Sequence, residues 1–172
     1  MKILLLVGIA LIILSVSIAA VSGFVFETAQ HTVPQTVKVI AALAAQNSGL
    51  GSIEEGETKF YSKATVSSLG NTIDVTTTKD NVCLNFNSNL DTLSASYSTY
   101  NITVKFAAVG SGSTHSVGQV ACTMTLASPD PAAVTLDVDG AWRFDFELTT
   151  TAKSVSSDQA TTVTIVVTAE ST

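Results

Sequence analysis

From Gly56 onward, apolar residues recur at every second position, which is the period of a β-strand with one buried and one solvent-facing side. The clearest stretch is Trp142–Leu148, where Trp, Phe, Phe and Leu alternate with Arg, Asp and Glu. Eight stretches share this pattern: Lys59–Val66, Asn71–Thr77, Val82–Phe86, Tyr100–Phe106, Val120–Leu126, Ala133–Val138, Trp142–Leu148 and Val163–Val167. Thr and Val dominate them, and β-branched side chains favour strands. The pattern predicts an all-β domain of about eight strands.

Turn residues separate these stretches. Asp139–Gly140 tolerates positive φ and predicts a tight hairpin between the strands on either side of it, and Gly70–Asn71 predicts a similar turn. Ser128–Pro131 interrupts any ladder because proline cannot donate to it. Gly110–Gly118, with three Gly and three Ser, predicts an exposed loop. Short strands at this spacing predict a two-sheet antiparallel sandwich of jelly-roll type, with an immunoglobulin-type sandwich as the alternative.

One short helix is predicted over Pro34–Gln46. Its apolar residues form a stripe at helical spacing, Pro34 lies near its start and Gly49 lies just past its end. Val33, Val37 and Val39 also alternate as they would in a strand, so a strand is the alternative for this segment.

The N-terminal segment has the features of a secretory signal. Lys2 precedes an apolar run from Ile3 to Leu14 that continues to Val21, and small residues follow at Val21–Gly23. We therefore expect residues 1–23 to form an apolar helix that is a signal peptide cleaved after Gly23. A retained transmembrane anchor is the alternative, because the run is nearly long enough to span a bilayer. Either interpretation places the domain of residues 34–172 outside the cytoplasm.

Residues 24–33 follow directly as an apolar N-terminal extension. This segment contains Phe24, Val25, Phe26, Thr28 and Val33, which are strand-forming residues at the end of a mature chain. The simplest interpretation is a first strand of the same sandwich, or the tail of the signal. The alternative is a donor strand, which would pair with an open sheet edge in a neighbouring copy. Such a contact joins the head of one copy to the tail of another and produces a filament.

Composition narrows the possible functions. Charged residues make up only 13% of the chain, and 24 Thr supply much of the polarity. The net charge is −6, and it becomes −7 when Lys2 leaves with the signal. We do not expect this protein to bind nucleic acid, because such binding requires clustered cations. A membrane partner is expected only for the signal or anchor segment.

The residues for catalysis or metal binding are few. The chain has two His and two Cys, and it lacks the short motifs of zinc proteases, serine hydrolases, phosphate loops and dinucleotide sites. His31 and His115 lie in polar surroundings, and the acidic pairs Asp137/Asp139 and Asp145/Glu147 are expected on the solvated surface. We therefore expect no enzyme activity, no cofactor and no bound metal, with a weak calcium site at the 137–139 turn as the alternative.

Two kinds of covalent modification are suggested by single motifs. Cys83 and Cys122 are candidates for a disulfide in an exported domain, although strand alternation places Cys83 on a polar face and Cys122 on an apolar face. Asn101-Ile102-Thr103 is a sequon for N-linked glycosylation, and alternation points Asn101 outward.

Taken together, the signal, the apolar extension, the hydroxyl-rich strands and the closing strand pair Gly140–Phe146 and Thr161–Val167 resemble the TasA/camelysin-type biofilm fibre proteins, and most closely their archaeal relatives, the bundling pilins. The resemblance implies a secreted jelly-roll subunit whose N-terminal strand, here Phe24–Val33, inserts into the next subunit. It thus implies a homopolymer that forms extracellular pili or biofilm matrix fibres involved in cell adhesion. Phe26-Glu27-Thr28 replaces the Phe-Ser-Asp or Phe-Asn-Asp motif of the bacterial members. The camelysin branch carries a metallopeptidase label, for which this chain has no zinc-ligand motif.

A surface binding module is the competing functional class. A carbohydrate-binding or surface-layer-associated sandwich would also be exported and hydroxyl-rich. Sugar binding typically uses exposed aromatic side chains, and only a few aromatics, such as Tyr61 and Tyr97, fall outside the predicted apolar faces.

Overall fold

The structure is a computed structural model that describes residues 41–171. Its nine strands are β1 (Ala41–Ala45), β2 (Thr58–Tyr61), β3 (Ile73–Thr77), β4 (Val82–Ser88), β5 (Tyr97–Ala108), β6 (Val120–Met124), β7 (Val134–Leu136), β8 (Gly140–Ala152) and β9 (Ile165–Ser171). Two short 3-10 helices, Ser67–Leu69 and Leu90–Leu93, lie between strands. All strand pairings are antiparallel.

The larger sheet contains six strands around β8. On one side, β5 pairs along nearly all of β8 and carries β6 at its outer edge. On the other side, β2 and β3 lie end to end along β8, and β1 pairs with the outer edge of β3. The smaller sheet contains three strands in the order β7-β4-β9.

The two sheets pack against each other through one core. Phe86 of β4 meets Phe144 of β8 edge to face, with 5.9 Å between the ring centroids, so β4 lies over β8. Trp142, Phe106 and Leu84 are fully buried in the same core. The predicted two-sheet antiparallel architecture is thus confirmed at the level of an all-β fold with two packed sheets.

All eight predicted strands are present, but the helix predicted over Pro34–Gln46 is wrong where the structure describes it. Residues 41–45 form β1 instead, with Leu43 opposite Val75 in β3. In a helix, alanine is more favourable than most other residues by only a few tenths of a kcal/mol per residue. Pairing with the edge of β3 gives each of the five residues of β1 a partner in the neighbouring strand. Tertiary pairing therefore outweighs local propensity in this segment.

The Asp139–Gly140 turn does not form the predicted hairpin. Gly140 has the expected positive φ of 122°, but the strands on either side belong to different sheets, β7 to the smaller and β8 to the larger. The turn is fixed by the Asp139 amide, which donates to Asp80 at 2.8 Å, and by close approach of Gly110. The Asp139–Gly140 dipeptide indicates a local bend in the chain. It does not indicate which sheet the next strand joins. Asn71 also has a positive φ, of 49°, in the predicted Gly70–Asn71 turn. The strands on either side of this turn do not form a hairpin either, because β2 and β3 both pair with β8 and not with each other.

One residue predicted for the core lies outside it. Val120 was expected to share the apolar face of Cys122 and Met124, but it is 49% exposed. A bulge shifts the register so that Cys122 lies opposite Val104 while Val120 lies opposite Lys105, which faces outward. The extra residue reverses the side-chain alternation at this point.

The predicted signal or anchor at residues 1–23 and the predicted donor segment at residues 24–33 lie outside the described residues. Within residues 41–171, no helix is long and apolar enough to cross a membrane.

Candidate functional site

The two sheets differ in width, and this difference creates an open groove between them. With β4 over β8, β7 lies toward the β5–β6 loop, because its Thr135 carbonyl is 2.9 Å from His115 Nε2 of that loop. β9 therefore lies on the other side of β4, toward β3 and β1. The part of the chain that the structure describes contains no strand of the smaller sheet beyond β9.

The inward face of β1 is consequently only partly covered, since Ala41 packs against the core while Leu43 and Ala45 are exposed. Leu43 lies in register with Val75, which is 1% exposed, yet Leu43 is 41% exposed. The core-facing residues of β9 are also only half-buried, whereas those of its neighbour β4 are fully buried. Both observations follow from one cause, which is that no strand lies beside β9 and opposite β1 in residues 41–171.

The groove has a volume of about 550 Å³ and an apolar floor. Four side chains that belong to the core form this floor from the larger sheet: Ile73, Tyr100, Phe146 and Leu148. Burial raises the pKa of Tyr100 to about 12, so its hydroxyl stays neutral at physiological pH. The floor therefore offers apolar surface without charge.

One wall of the groove consists of residues 161–165, which lead into β9. Asn89 holds this wall in place: its side-chain amide donates to the Thr162 carbonyl at 3.0 Å, and its Oδ1 accepts from the Thr164 amide at 2.8 Å. Tyr97 contributes a further contact, with 3.1 Å between its hydroxyl and that of Thr161. These side chains, together with the Asn89 backbone amide, which donates to the Thr164 carbonyl at 3.3 Å, thus position the segment that leads into the β4–β9 ladder.

The opposite wall consists of residues 45–51, between β1 and β2. The Gln46 amide donates to the Thr72 carbonyl at 2.9 Å, and the Ser48 hydroxyl donates to the Ser68 carbonyl at 2.9 Å. Leu50 packs against the core from this wall. The two walls and the floor leave a channel that is open to solvent.

The groove combines two features that an extended peptide requires. β9 pairs only with β4, so among the described strands its other edge has no partner and its backbone groups can bond to an added strand. The apolar floor can accept alternate side chains of such a strand. The predicted donor residues Phe24, Val25, Phe26, Thr28 and Val33 lie outside the described residues, so their pairing stays a prediction.

The structure places the two cysteines on opposite sides of the smaller sheet. Both are free thiols. Cys83 points outward from β4, with its sulfur 3.7 Å from the Thr135 hydroxyl, whereas Cys122 points from β6 into the core. Burial raises the pKa of Cys122 to about 12. The pairing suggested for exported domains is therefore not formed, because the two side chains face different surroundings.

The acidic residues expected on the solvated surface include two that are tightly bonded. Asp145 is only 8% exposed; it forms an ion pair with Lys63 and accepts from the Asn71 amide at 2.7 Å. Asp137 accepts from the Ser113 hydroxyl and from both the amide and the hydroxyl of Thr114, each at 2.6 Å. These hydrogen bonds lower the pKa of Asp137 well below its usual range. Both carboxylates hold loops in place, and alternation of apolar residues could not identify their partners.

Within residues 41–171, no three His, Cys, Asp or Glu side chains are grouped so that they could hold a metal ion. His115, which has polar neighbours in the sequence, is half-buried, and its ring stacks on Phe106, with 4.6 Å between the centroids. The groove itself was missed by sequence reasoning, since only the pairing order of the strands makes it visible.

No protein-family model matches this chain, and no curated protein matches its sequence.

Proposed function

We propose that this protein is a secreted structural subunit that polymerises by donor-strand complementation into extracellular pili or biofilm matrix fibres. In this proposal, residues 24–33 of one copy occupy the groove of the next copy, beside β9 and opposite β1. The observation that carries the proposal is the open groove with its apolar floor, together with the edge of β9, which is unpaired within residues 41–171, and the 41% exposure of Leu43 in β1, the strand that leads into the groove wall at Ala45.

The segment 24–33 has chemistry that suits this groove. Phe24, Phe26 and Thr28 fall on one face of an extended strand, and only Glu27 is charged. Ten extended residues reach roughly 33 Å, which is longer than the seven residues of β9. Burying one Phe side chain contributes about 2 kcal/mol, and the backbone of the donor would pair with the free edge.

The remaining parts of the proposal concern export and assembly. Residues 1–23 would act as a signal peptide that is cleaved after Gly23, so that membrane contact is limited to this segment or to its anchored form. A donor from one copy in the groove of the next is a head-to-tail contact, and repetition without rotational closure produces a filament. The subunit would then be a jelly-roll pilin of the TasA-like or archaeal bundling-pilin kind, without catalytic activity or cofactor.

Replacing residues 24–33 by Gly and Ser at the same length tests the proposal. Filaments of the mature protein, observed by electron microscopy, should disappear, because the replacement keeps the reach of the segment but removes its apolar side chains. A matched control is Val117→Asp, since Val117 is 65% exposed in the β5–β6 loop and does not line the groove. Filaments that persist without the Phe side chains would contradict the proposal.

A synthetic peptide of residues 24–33 provides the complementary measurement. Added to the replaced protein, it should raise the melting temperature, because a ligand that binds only the folded state stabilises it by about 2.7 kcal/mol at 100 times its Kd. The same peptide with Phe24 and Phe26 changed to Asp should have no effect. Equal shifts with both peptides would argue against an apolar groove as the acceptor.

A surface binding module remains the second candidate, because two aromatic side chains line the groove. Tyr97 and Tyr100 meet edge to face, with 5.0 Å between their centroids, and could contact a small ligand such as a sugar. A binding module should keep its fold and its ligand affinity when residues 24–33 are replaced. Glycan-array binding by the replaced protein, with no filaments in the unaltered protein, would favour this candidate.

A further inference from the structure

The outer face of the larger sheet carries one exposed aromatic side chain. Phe60 of β2 is 57% exposed, while its chain neighbour Tyr61 points into the core and is 9% exposed. Exposed apolar side chains of this size are common singly, but here the cross-strand neighbours give Phe60 a specific setting.

Strand register places Phe60 in one row with the sequon asparagine. Phe60 lies opposite Thr149 of β8, and Thr149 lies opposite Asn101 of β5. All three side chains point away from the core, because the next residue in each strand, Tyr61, Leu148 or Ile102, is buried. Two strand spacings separate Phe60 from Asn101, which corresponds to about 10 Å between their Cα atoms.

On the side away from β8, no strand among residues 41–171 pairs with Asn101. The ladder between β5 and β6 covers Ile102 to Lys105 and stops one residue before Asn101. Asn101 is half-buried, and its side-chain amide makes no hydrogen bond within residues 41–171. Thr103, the third residue of the sequon, lies on the same outer face. A group attached to Asn101 can therefore remain in solvent above the sheet.

We propose that Asn101 carries an N-linked glycan and that the first sugars of this glycan cover Phe60. In the transfer step, Asn101 Nδ2 attacks C1 of an oligosaccharide linked to a lipid diphosphate. The N–C1 bond forms, the bond from C1 to the phosphate oxygen breaks, the lipid diphosphate leaves, and Nδ2 loses one proton. An oligosaccharyltransferase on the outer side of the membrane would catalyse this step as the chain is exported.

The row of residues explains why the sugars lie on Phe60. Thr149, between Asn101 and Phe60, is small enough to lie beneath a sugar ring. The C–H groups of a sugar face pack well on an aromatic ring, since both surfaces are apolar and flat. Hydroxyls of Thr58 and Thr151, 2.9 Å apart beside this row, offer polar partners to the sugar hydroxyls. Glycan and groove lie on opposite faces of the larger sheet, so both can be occupied in one subunit.

The inference rests on the export part of the proposed function but not on polymerisation. Intact-mass and peptide mass spectrometry of the protein recovered outside its own cells should show a carbohydrate mass on the peptide containing Asn101. Asn101→Gln and Thr103→Val should each remove that mass. An exported protein with an unmodified Asn101 would overturn the glycan and leave export standing, whereas a protein found only inside the cell would overturn both.

A double-mutant cycle tests the contact with Phe60. Glycosylated protein should melt roughly 3 °C higher than Asn101→Gln, the scale of one weak surface contact in a domain of this size. Phe60→Ala should abolish this difference, while the control Val117→Ala should preserve it. If Phe60→Ala and Asn101→Gln have additive effects, the sugars do not cover Phe60 and that half of the proposal is wrong.

Discussion

Asn89 should determine how well the groove wall is ordered. Its side chain makes two hydrogen bonds to residues 162 and 164, at 3.0 and 2.8 Å, and its backbone amide donates a longer one, at 3.3 Å, to the Thr164 carbonyl, which Asn89→Ala keeps. Each of the two side-chain hydrogen bonds makes a net contribution of about 1 kcal/mol to stability, and solvent access at this half-buried position reduces their sum. We therefore expect Asn89→Ala to lower the free energy of unfolding by about 1.5 kcal/mol. Asn87→Ala is the matched control, since Asn87 lies two residues earlier, is exposed on β4, and its side chain makes no hydrogen bond within residues 41–171.

Two measurements check this prediction. Urea unfolding should show Asn89→Ala less stable than the parent by about 1.5 kcal/mol and Asn87→Ala within about 0.5 kcal/mol of it. Hydrogen exchange should show the Thr164 amide about tenfold faster in Asn89→Ala, because 1.4 kcal/mol corresponds to a factor of ten. If both variants behave alike in the two assays, the groove wall is held by contacts other than the Asn89 side chain.

Three further predictions concern side chains outside the groove. Asp145→Asn should lower the free energy of unfolding, measured in urea, by about 2 kcal/mol, because it weakens charge-assisted hydrogen bonds at an 8%-exposed site. Glu147→Gln is the control: its ion pair is more exposed, and the change should lower the free energy of unfolding by under about 1 kcal/mol. Asp137→Asn should lower the melting temperature at pH 7; because hydrogen bonds depress the pKa of Asp137, the difference from the parent should shrink as the pH falls below about 4. Native protein treated with iodoacetamide at pH 8 should be alkylated at Cys83 but not at Cys122, and mass spectrometry that finds neither thiol modified would indicate a disulfide after all.

Local patterns predicted the strands well because each strand has one buried face. In β8, the alternation of Trp142, Phe144, Phe146 and Leu148 with polar residues matches the burial in the structure except at Asp145. Asp145 departs from the pattern because its partner Lys63 comes from a distant part of the chain. Alternation identifies the face of a strand, but it carries no information about which polar groups meet.

The site was predictable only in part for the same reason. The apolar character of residues 24–33 is visible in the sequence, but the groove depends on the order of strands in two sheets. β1 shows the difficulty clearly, because Ala41–Ala45 has the composition of a helix and becomes a strand only through pairing with β3. Turn residues such as Gly140 mark a change of direction without indicating the sheet that follows. Non-local pairing is therefore the information that the sequence patterns lack.

One competing arrangement would complete the sandwich without any second copy. Residues 34–40 join the proposed donor segment to β1, and seven residues can reach about 24 Å, while packed sheets lie about 10 Å apart. The segment could therefore reach the groove of its own subunit. A short linker of this kind gives an effective concentration in the millimolar range, which would favour insertion into the same chain over insertion into a neighbour.

The composition of this linker argues against such self-insertion. A return toward the same subunit requires a tight turn, and residues 35–40 are Gln, Thr, Val, Lys, Val and Ile, with no Gly, Asn or Asp. Pro34 also biases the preceding residue toward extended backbone. Inserting Asn-Gly after Val37 should therefore permit the turn and convert filaments into monomers that melt as high as the filament subunit. Size-exclusion chromatography and thermal melting of the insertion variant check this, and a variant that still forms filaments would show that the linker does not select the neighbour.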